Sequence, residues 1–170
     1  MRDTLTKLLS YVLVVTAAYA AVHFSYGRGV TQPAPFPHAR HVELNIDCVA
    51  CHAGASEAAH ARIPSIHTCK LCHRADRSFP STPPRLAAFI ISGRNIPWNQ
   101  AQKLPDHVYF SHRRHVTVAK LGCGECHGDV GAAVQPISRA YLQTGEAGMA
   151  QCIDCHRTRG ASQDCLACHR

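Results

Sequence analysis

Large aromatic side chains are scarce in this sequence. The 170 residues include one Trp, five Tyr and five Phe. This supply is small for the side-chain core of a conventional globular domain of this size. Cysteine is absent everywhere except in five short motifs, so none is left over for a separate disulfide framework.

All ten cysteines lie in five copies of Cys-x-x-Cys-His, at residues 48–52, 69–73, 123–127, 152–156 and 165–169. The motif is the attachment signature of c-type haem: two thiols add to the porphyrin vinyl groups, and the histidine ligates the iron. The sequence therefore predicts five covalently bound c-type haems. The attachment residues would be Cys48, Cys51, Cys69, Cys72, Cys123, Cys126, Cys152, Cys155, Cys165 and Cys168. The proximal ligands would be His52, His73, His127, His156 and His169.

Three other interpretations of the cysteine pairs explain less. Zinc takes thiolate pairs at this spacing, but it does not require a histidine directly after every second cysteine. A thioredoxin-like redox pair would need one motif near a βαβ pattern rather than five in a loop-rich chain. Disulfide pairing also leaves the five histidines unexplained. Haem attachment is the interpretation that accounts for every motif.

Five haems would supply the apolar surface that the side chains lack. We therefore predict a multihaem c-type cytochrome, with an N-terminal transmembrane helix followed by mostly irregular chain. Short α-helices would wrap the five haems, with little or no sheet. The formal net charge of +7 would be offset by the haem propionates, so we predict no nucleic-acid partner.

The N-terminal segment is the longest uncharged stretch of the chain. Residues 8–24 contain no Asp, Glu, Lys or Arg and, as a helix, would just span a hydrocarbon core. We predict that residues 1–28 form a signal-anchor transmembrane helix, with Arg2 and Lys7 on the cytoplasmic side. The chain would then be a single-pass protein of the bacterial cytoplasmic (inner) membrane, with its haem domain in the periplasm. The alternative is a signal peptide cleaved after the Ala18-Tyr-Ala20 pattern, which exports the same segment.

A short repeat precedes two of the motifs. Phe36-Pro-His38-Ala-Arg-His41 leads to Cys48, and Phe110-Ser-His112-Arg-Arg-His115 leads to Cys123. Two histidines three residues apart share a face of a helical turn, so each can reach the distal position of a different haem. The repeat divides the exported chain into a Pro-rich linker (29–37), a two-haem half (38–73), a connector (74–106) and a three-haem half (107–170).

The repeats supply four of the five distal ligands that the haems need: His38, His41, His112 and His115. We favour His60 as the fifth, because it lies between the first two motifs. His67, His107 and Met149 are the alternatives. A Met149 ligand would raise the potential of its haem relative to bis-histidine ligation.

Several segments resemble the class III multihaem cytochromes c and, more specifically, the membrane-anchored pentahaem subunit of alternative complex III, a bacterial quinol oxidoreductase. They are residues 46–52, 60–69, 104–115 and 149–157, including the lead Leu104-Pro-Asp-His-Val-Tyr-Phe110. The resemblance implies an electron wire that receives electrons from quinol oxidation and passes them to a downstream cytochrome c or oxidase. The implied partners are an iron–sulfur protein related to molybdopterin enzymes, polytopic quinol-binding membrane subunits and a monohaem cytochrome c.

Two functions are consistent with this pattern. An electron wire needs every iron six-coordinate and no catalytic residue. A multihaem reductase of a small nitrogen or sulfur oxyanion needs one open haem with acid–base residues above it. A stand-alone quinol dehydrogenase is disfavoured, because one predicted membrane helix does not enclose a quinol pocket.

Overall fold

A computed structural model describes residues 2–26, 29–76, 82–142 and 146–169. Residues 1, 27 and 28 of the predicted anchor, 77–81 of the predicted connector, and 143–145 and 170 of the predicted three-haem half lie outside the described residues. The chain divides into two compact units, Met1–Val30 and Thr31–Arg170.

The first unit is a single helix, α1 (Arg2–Tyr26). The hydroxyl groups of Ser10 and Thr16 donate to the carbonyl groups of Thr6 and Val12, each at 2.9 Å. Over the residues that are described, neither α1 nor any other helix combines the length and apolarity needed to cross a membrane. The predicted transmembrane helix is thus not found in the part of the anchor that the structure describes.

The second unit is built from short helices joined by irregular chain. They are α2 (His38–Val42), α3 (Cys48–Cys51), α4 (Ile66–Lys70), α5 (Pro84–Ser92), α6 (Gly124–His127), α7 (Glu146–Thr158) and α8 (Cys165–Cys168). A π-helical turn covers Arg114–Val118, and a 3₁₀ turn covers Val130–Ala132. The described residues form no sheet; Val108 and His169 make an isolated antiparallel bridge. The prediction of short helices without a sheet is confirmed.

Four motifs share one local geometry. The N–H of each motif histidine donates to the carbonyl of the first cysteine of the same motif, at 2.8 Å for His52, His73 and His169 and 3.0 Å for His127. The fourth motif lies within α7. A single helical turn thus holds two thiols and one imidazole side by side, which is the arrangement that attachment to one porphyrin requires.

The apolar core is small and lies around the second motif. Ala34, Ile66, Ile90 and Ile96 form a buried cluster, against which Cys69, Leu86, Phe89 and Trp98 pack. The backbone N–H of Ile66 donates to Oδ1 of Asn95 at 2.9 Å, which holds α4 against the chain after α5. The predicted connector therefore packs on the second motif. The predicted linker joins this cluster through Ala34.

Candidate haem-binding sites

Each motif histidine faces a second histidine from another part of the chain. We number the pairs by the chain order of their motifs. Site 1 is His52 with His38, site 2 is His73 with His41, site 3 is His127 with His112, site 4 is His156 with His115, and site 5 is His169 with His107.

The spacing of the pairs fits one metal ion between two imidazoles. The ring centroids lie 6.4, 6.3, 6.4 and 6.1 Å apart at sites 1 to 4. Two metal–nitrogen bonds of about 2 Å each, with the ring radii added, give roughly 6 Å. At site 5 the separation is 5.4 Å, so an iron there would spread the two rings slightly.

The four distal histidines predicted from the repeats all take part in these pairs, whereas His60 does not. His60 is exposed, and among the described ring contacts it faces no motif histidine. His107 takes the corresponding place opposite His169. His67 is exposed on α4, and the Met149 side chain is 55% exposed on α7.

The position of His107 depends on a contact that sequence reasoning missed. The N–H of Tyr109 donates to the carbonyl of Cys168 at 2.8 Å, beside the bridge between Val108 and His169. The last motif is thereby folded back onto the segment that precedes the second repeat. The only local signal was that His107 lies three residues before Phe110, in the segment that carries two other distal histidines.

Phenylalanine supports the distal histidines in the same way in both repeats. Phe36 lies edge-on to His38, with centroids 4.8 Å apart, and stacks on His41 at 4.5 Å. Phe110 lies edge-on to His112 at 4.9 Å and stacks on His115 at 4.4 Å. The sequence repeat is therefore also a structural repeat, in which one aromatic ring packs against two imidazoles.

Backbone carbonyl groups hold several imidazoles through Nδ1. His41 and His115 pair with the carbonyl four residues earlier, of Pro37 at 3.1 Å and of Ser111 at 2.8 Å. A histidine that donates Nδ1–H to a carbonyl presents an unprotonated Nε2 to a metal. Three further pairs have the same form: His52 with Arg62 at 3.1 Å, His112 with Ala59 at 3.0 Å and His156 with Ser162 at 2.5 Å.

Burial favours the neutral form of three imidazoles. Desolvation lowers the pKa of His38, His73 and His127, and a facing or adjacent histidine lowers each further. Metal ligation requires the neutral imidazole. At these positions the chain therefore holds histidine in the protonation state that an iron would need.

The cysteines are available for attachment. All ten are free thiols. Burial raises the pKa of the Cys51, Cys69, Cys123, Cys126 and Cys152 thiols, and a protonated thiol is a poor nucleophile in disulfide exchange.

Apolar side chains within the motifs lie open on the surface. Leu71 is 83% exposed and Leu166 is 75% exposed, each between the two cysteines of its motif. The described residues include no group of three or more His, Cys, Asp or Glu side chains arranged to hold a bare metal ion. The donors come in pairs, as a porphyrin-bound iron requires, and the residues present fit haem.

Residues 108–170 match a family of known proteins. Its description is cytochrome c7 and related cytochrome c. The match covers the third, fourth and fifth motifs. A stretch of 98 residues, 56% of this chain, is 34% identical to the menaquinone reductase, multiheme cytochrome c subunit of Nitratidesulfovibrio vulgaris (strain Hildenborough). The chain spans 45% of the length of that relative. The comparisons support a multihaem c-type cytochrome with covalently attached haem; the haem number and the ligand set stay predictions.

Proposed function

We propose that this chain is an electron-transfer subunit that carries five bis-histidine c-type haems and performs no substrate chemistry of its own. The observation that supports this most directly is the set of five facing histidine pairs. If one iron lies between each pair, both axial positions are filled and no iron is open to a substrate. Haem supplies reversible one-electron chemistry when it is bound.

The chain's own residues position and tune these sites. The cysteine pairs would fix each porphyrin covalently, and the carbonyl groups on Nδ1 would set the orientation and basicity of the imidazoles. Bis-histidine ligation keeps the potentials lower than histidine–methionine ligation would. Phe36 and Phe110 each contact two of the proposed distal histidines, so each ring would restrict the movement of two axial ligands.

The proposed partners are components of a quinone-linked complex. The resemblance to the pentahaem subunit of alternative complex III and the similarity to a menaquinone reductase subunit agree on a quinone, although they imply opposite directions of electron flow. We propose that the chain connects quinone-binding membrane subunits and an iron–sulfur protein of the molybdopterin-enzyme type to a monohaem cytochrome c. The haem-bearing unit would face the periplasm. A row of six-coordinate haems conducts in either direction, so the partners set the direction.

The reductase of a nitrogen or sulfur oxyanion is not favoured. It requires one motif histidine that faces no other histidine, and each of the five motif histidines faces one.

The test uses the native complex, isolated through a tag on this chain. Menaquinol added without oxygen should reduce the haems, or menaquinone added to the reduced complex should oxidise them, as followed by haem absorbance. The isolated chain should exchange electrons with neither quinone form at a comparable rate, which makes it the control. A complex inert in both directions would contradict the quinone link. Turnover of nitrite or sulfite by the isolated chain would contradict the proposal that it only transfers electrons.

A further inference from the structure

Neighbouring sites share elements of the fold, and this sharing shows which sites adjoin. His38 and His41 both lie on α2, and Phe36 contacts both rings. Sites 1 and 2 are therefore adjacent. His112 and His115 are joined in the same way by Phe110, so sites 3 and 4 are adjacent.

The two halves meet at site 1. The N–H groups of His112 and Arg113 donate to the carbonyl groups of Ala59 and Ala58, at 2.9 and 3.0 Å. Ala58 and Ala59 belong to the loop that follows the first motif. The Thr117 hydroxyl donates to the carbonyl of Ser56, in the same loop, at 2.5 Å. The chain segment of the second repeat therefore contacts the loop that follows the first motif.

The side chains of sites 1 and 3 also lie near each other. Cys48 is close enough to Cys123 to raise its pKa further, after burial, and His52 is close enough to contribute, after burial and His112, to the lowered pKa of His127. The first motif thus lies beside the third, although the second motif separates them along the chain.

Sites 4 and 5 adjoin at the C-terminal end. The His156 ring pairs with the carbonyl of Ser162, three residues before Cys165. After burial, the neighbouring Cys168 is the largest cause of the raised pKa of Cys152. The segment from His107 to His115 supplies distal ligands to both sites.

We propose that the five sites form one row in the spatial order 2–1–3–4–5, so that sites 2 and 5 are its ends. This inference rests on the proposed function and extends it by naming where electrons enter and leave. Cys69 of the site 2 motif packs against the apolar cluster of Ala34, Ile66, Ile90 and Ile96, and the motif of site 5 is the fifth of the five along the chain. A partner that exchanges electrons with the row meets one of these two sites, and site 1 is an internal relay despite being first in the sequence.

The test measures redox coupling between sites in the haem-loaded protein. An electron on one haem shifts the midpoint potential of its neighbours, and this Coulomb interaction weakens with distance. His41→Met, His112→Met and His107→Met would each mark one site by changing its spectrum and raising its potential. The potentials of the remaining sites would then be titrated by EPR.

In the proposed row, His41→Met shifts site 1 most and His107→Met shifts site 4 most. His112→Met shifts sites 1 and 4 more than site 2. His60→Met is the matched control and shifts none. If His112→Met shifts site 2 more than site 1, the row follows the chain order and the proposal is overturned. If a methionine variant fails to load haem, the same distal histidine is replaced by Lys, which is an alternative axial ligand. The Lys variant then gives the same comparison.

The ligand pairs and the order of the sites can be tested separately. If the three methionine variants leave every bis-histidine signal unchanged, the ligand pairs are wrong and the proposed function fails with them. If each variant loses its own signal but the coupling follows another order, the proposed ligand pairs are supported and only the proposed spatial order of the sites is wrong.

Discussion

At the scale of single residues, each candidate site depends on which histidine faces the motif. The attachment cysteines and motif histidines can be predicted from sequence because their chemistry needs a fixed local spacing. Four distal histidines can be predicted because they recur in a short repeat. His107 was one of the alternatives to His60, but the sequence could not select it, because its place opposite His169 is set by a contact between residues more than sixty positions apart along the chain.

Replacing His107 tests the fifth pair. His107→Ala should leave one iron with a single protein ligand, because no other described imidazole faces His169. Reduced His107→Ala protein should therefore bind one carbon monoxide per chain, as measured by titration of the haem spectrum. His60→Ala is the matched control and should bind none. If His60→Ala bound one carbon monoxide per chain and His107→Ala bound none, His60 would be the fifth distal ligand.

The ring orientation at site 2 gives a second prediction. The His41 and His73 rings are inclined at 57°, whereas the other pairs are inclined at 4° to 27°. The angle between axial imidazole planes controls the splitting of the iron d orbitals, and near-parallel planes give more rhombic low-spin spectra. One of the five EPR signals should thus have a distinctly larger maximum g value. His41→Ala should remove that signal and His38→Ala should retain it; five similar signals would contradict the inclination.

At the scale of elements, the repeat is the unit that holds two sites together. Its helical turn was predictable from the three-residue spacing of the histidines. The second copy forms a π-helical turn at Arg114–Val118 rather than the α-helix of the first copy. The difference arises where the second repeat also bonds to Ala58 and Ala59, a long-range contact that a local pattern does not contain.

Gly128 provides a test of the element that carries site 3. It ends α6 with φ +63° and ψ −158°, a conformation that side chains other than glycine rarely adopt. An added Cβ would also lie 2.6 Å from Cδ2 of Tyr141. Gly128→Ala should lower the free energy of unfolding by about 1–3 kcal/mol, measured by urea titration.

Gly122→Ala is the matched control for that experiment. Its φ is ordinary and its added Cβ would meet only Oε1 of Glu125, at 4.0 Å. Comparing the stabilities of the two variants separates the effect of backbone strain at Gly128 from the general effect of replacing a glycine by alanine near the third motif. Equal stabilities would show that the turn after His127 is not constrained as described.

At the scale of the whole molecule, the side chains alone bury little. In the part of the chain that the structure describes, the buried hydrophobic residues are Ala34, Ile66, Ala87, Ile90 and Ile96. Such a core does not offset the conformational entropy of ordering the second unit. The scarcity of aromatic residues predicted a small side-chain core. The location of that core around the second motif could not be predicted, because it depends on how the connector packs.

Blocking haem attachment should therefore unfold the second unit. Chain produced in a host without c-type haem attachment should lose the protease resistance of residues 31–170 and show no cooperative thermal transition by circular dichroism. Haem-loaded chain from the same gene is the control. A cooperative transition without haem would show that the side-chain core suffices.

The central claim is that every iron is held by two histidines. The measurement that tests it most directly is low-temperature EPR of the oxidised, haem-loaded protein, with spins quantified against total haem. We expect five low-spin ferric centres per chain and no high-spin signal. One full equivalent of high-spin iron that binds cyanide or nitrite would contradict it, because one site would then be open and the chain could act as a reductase.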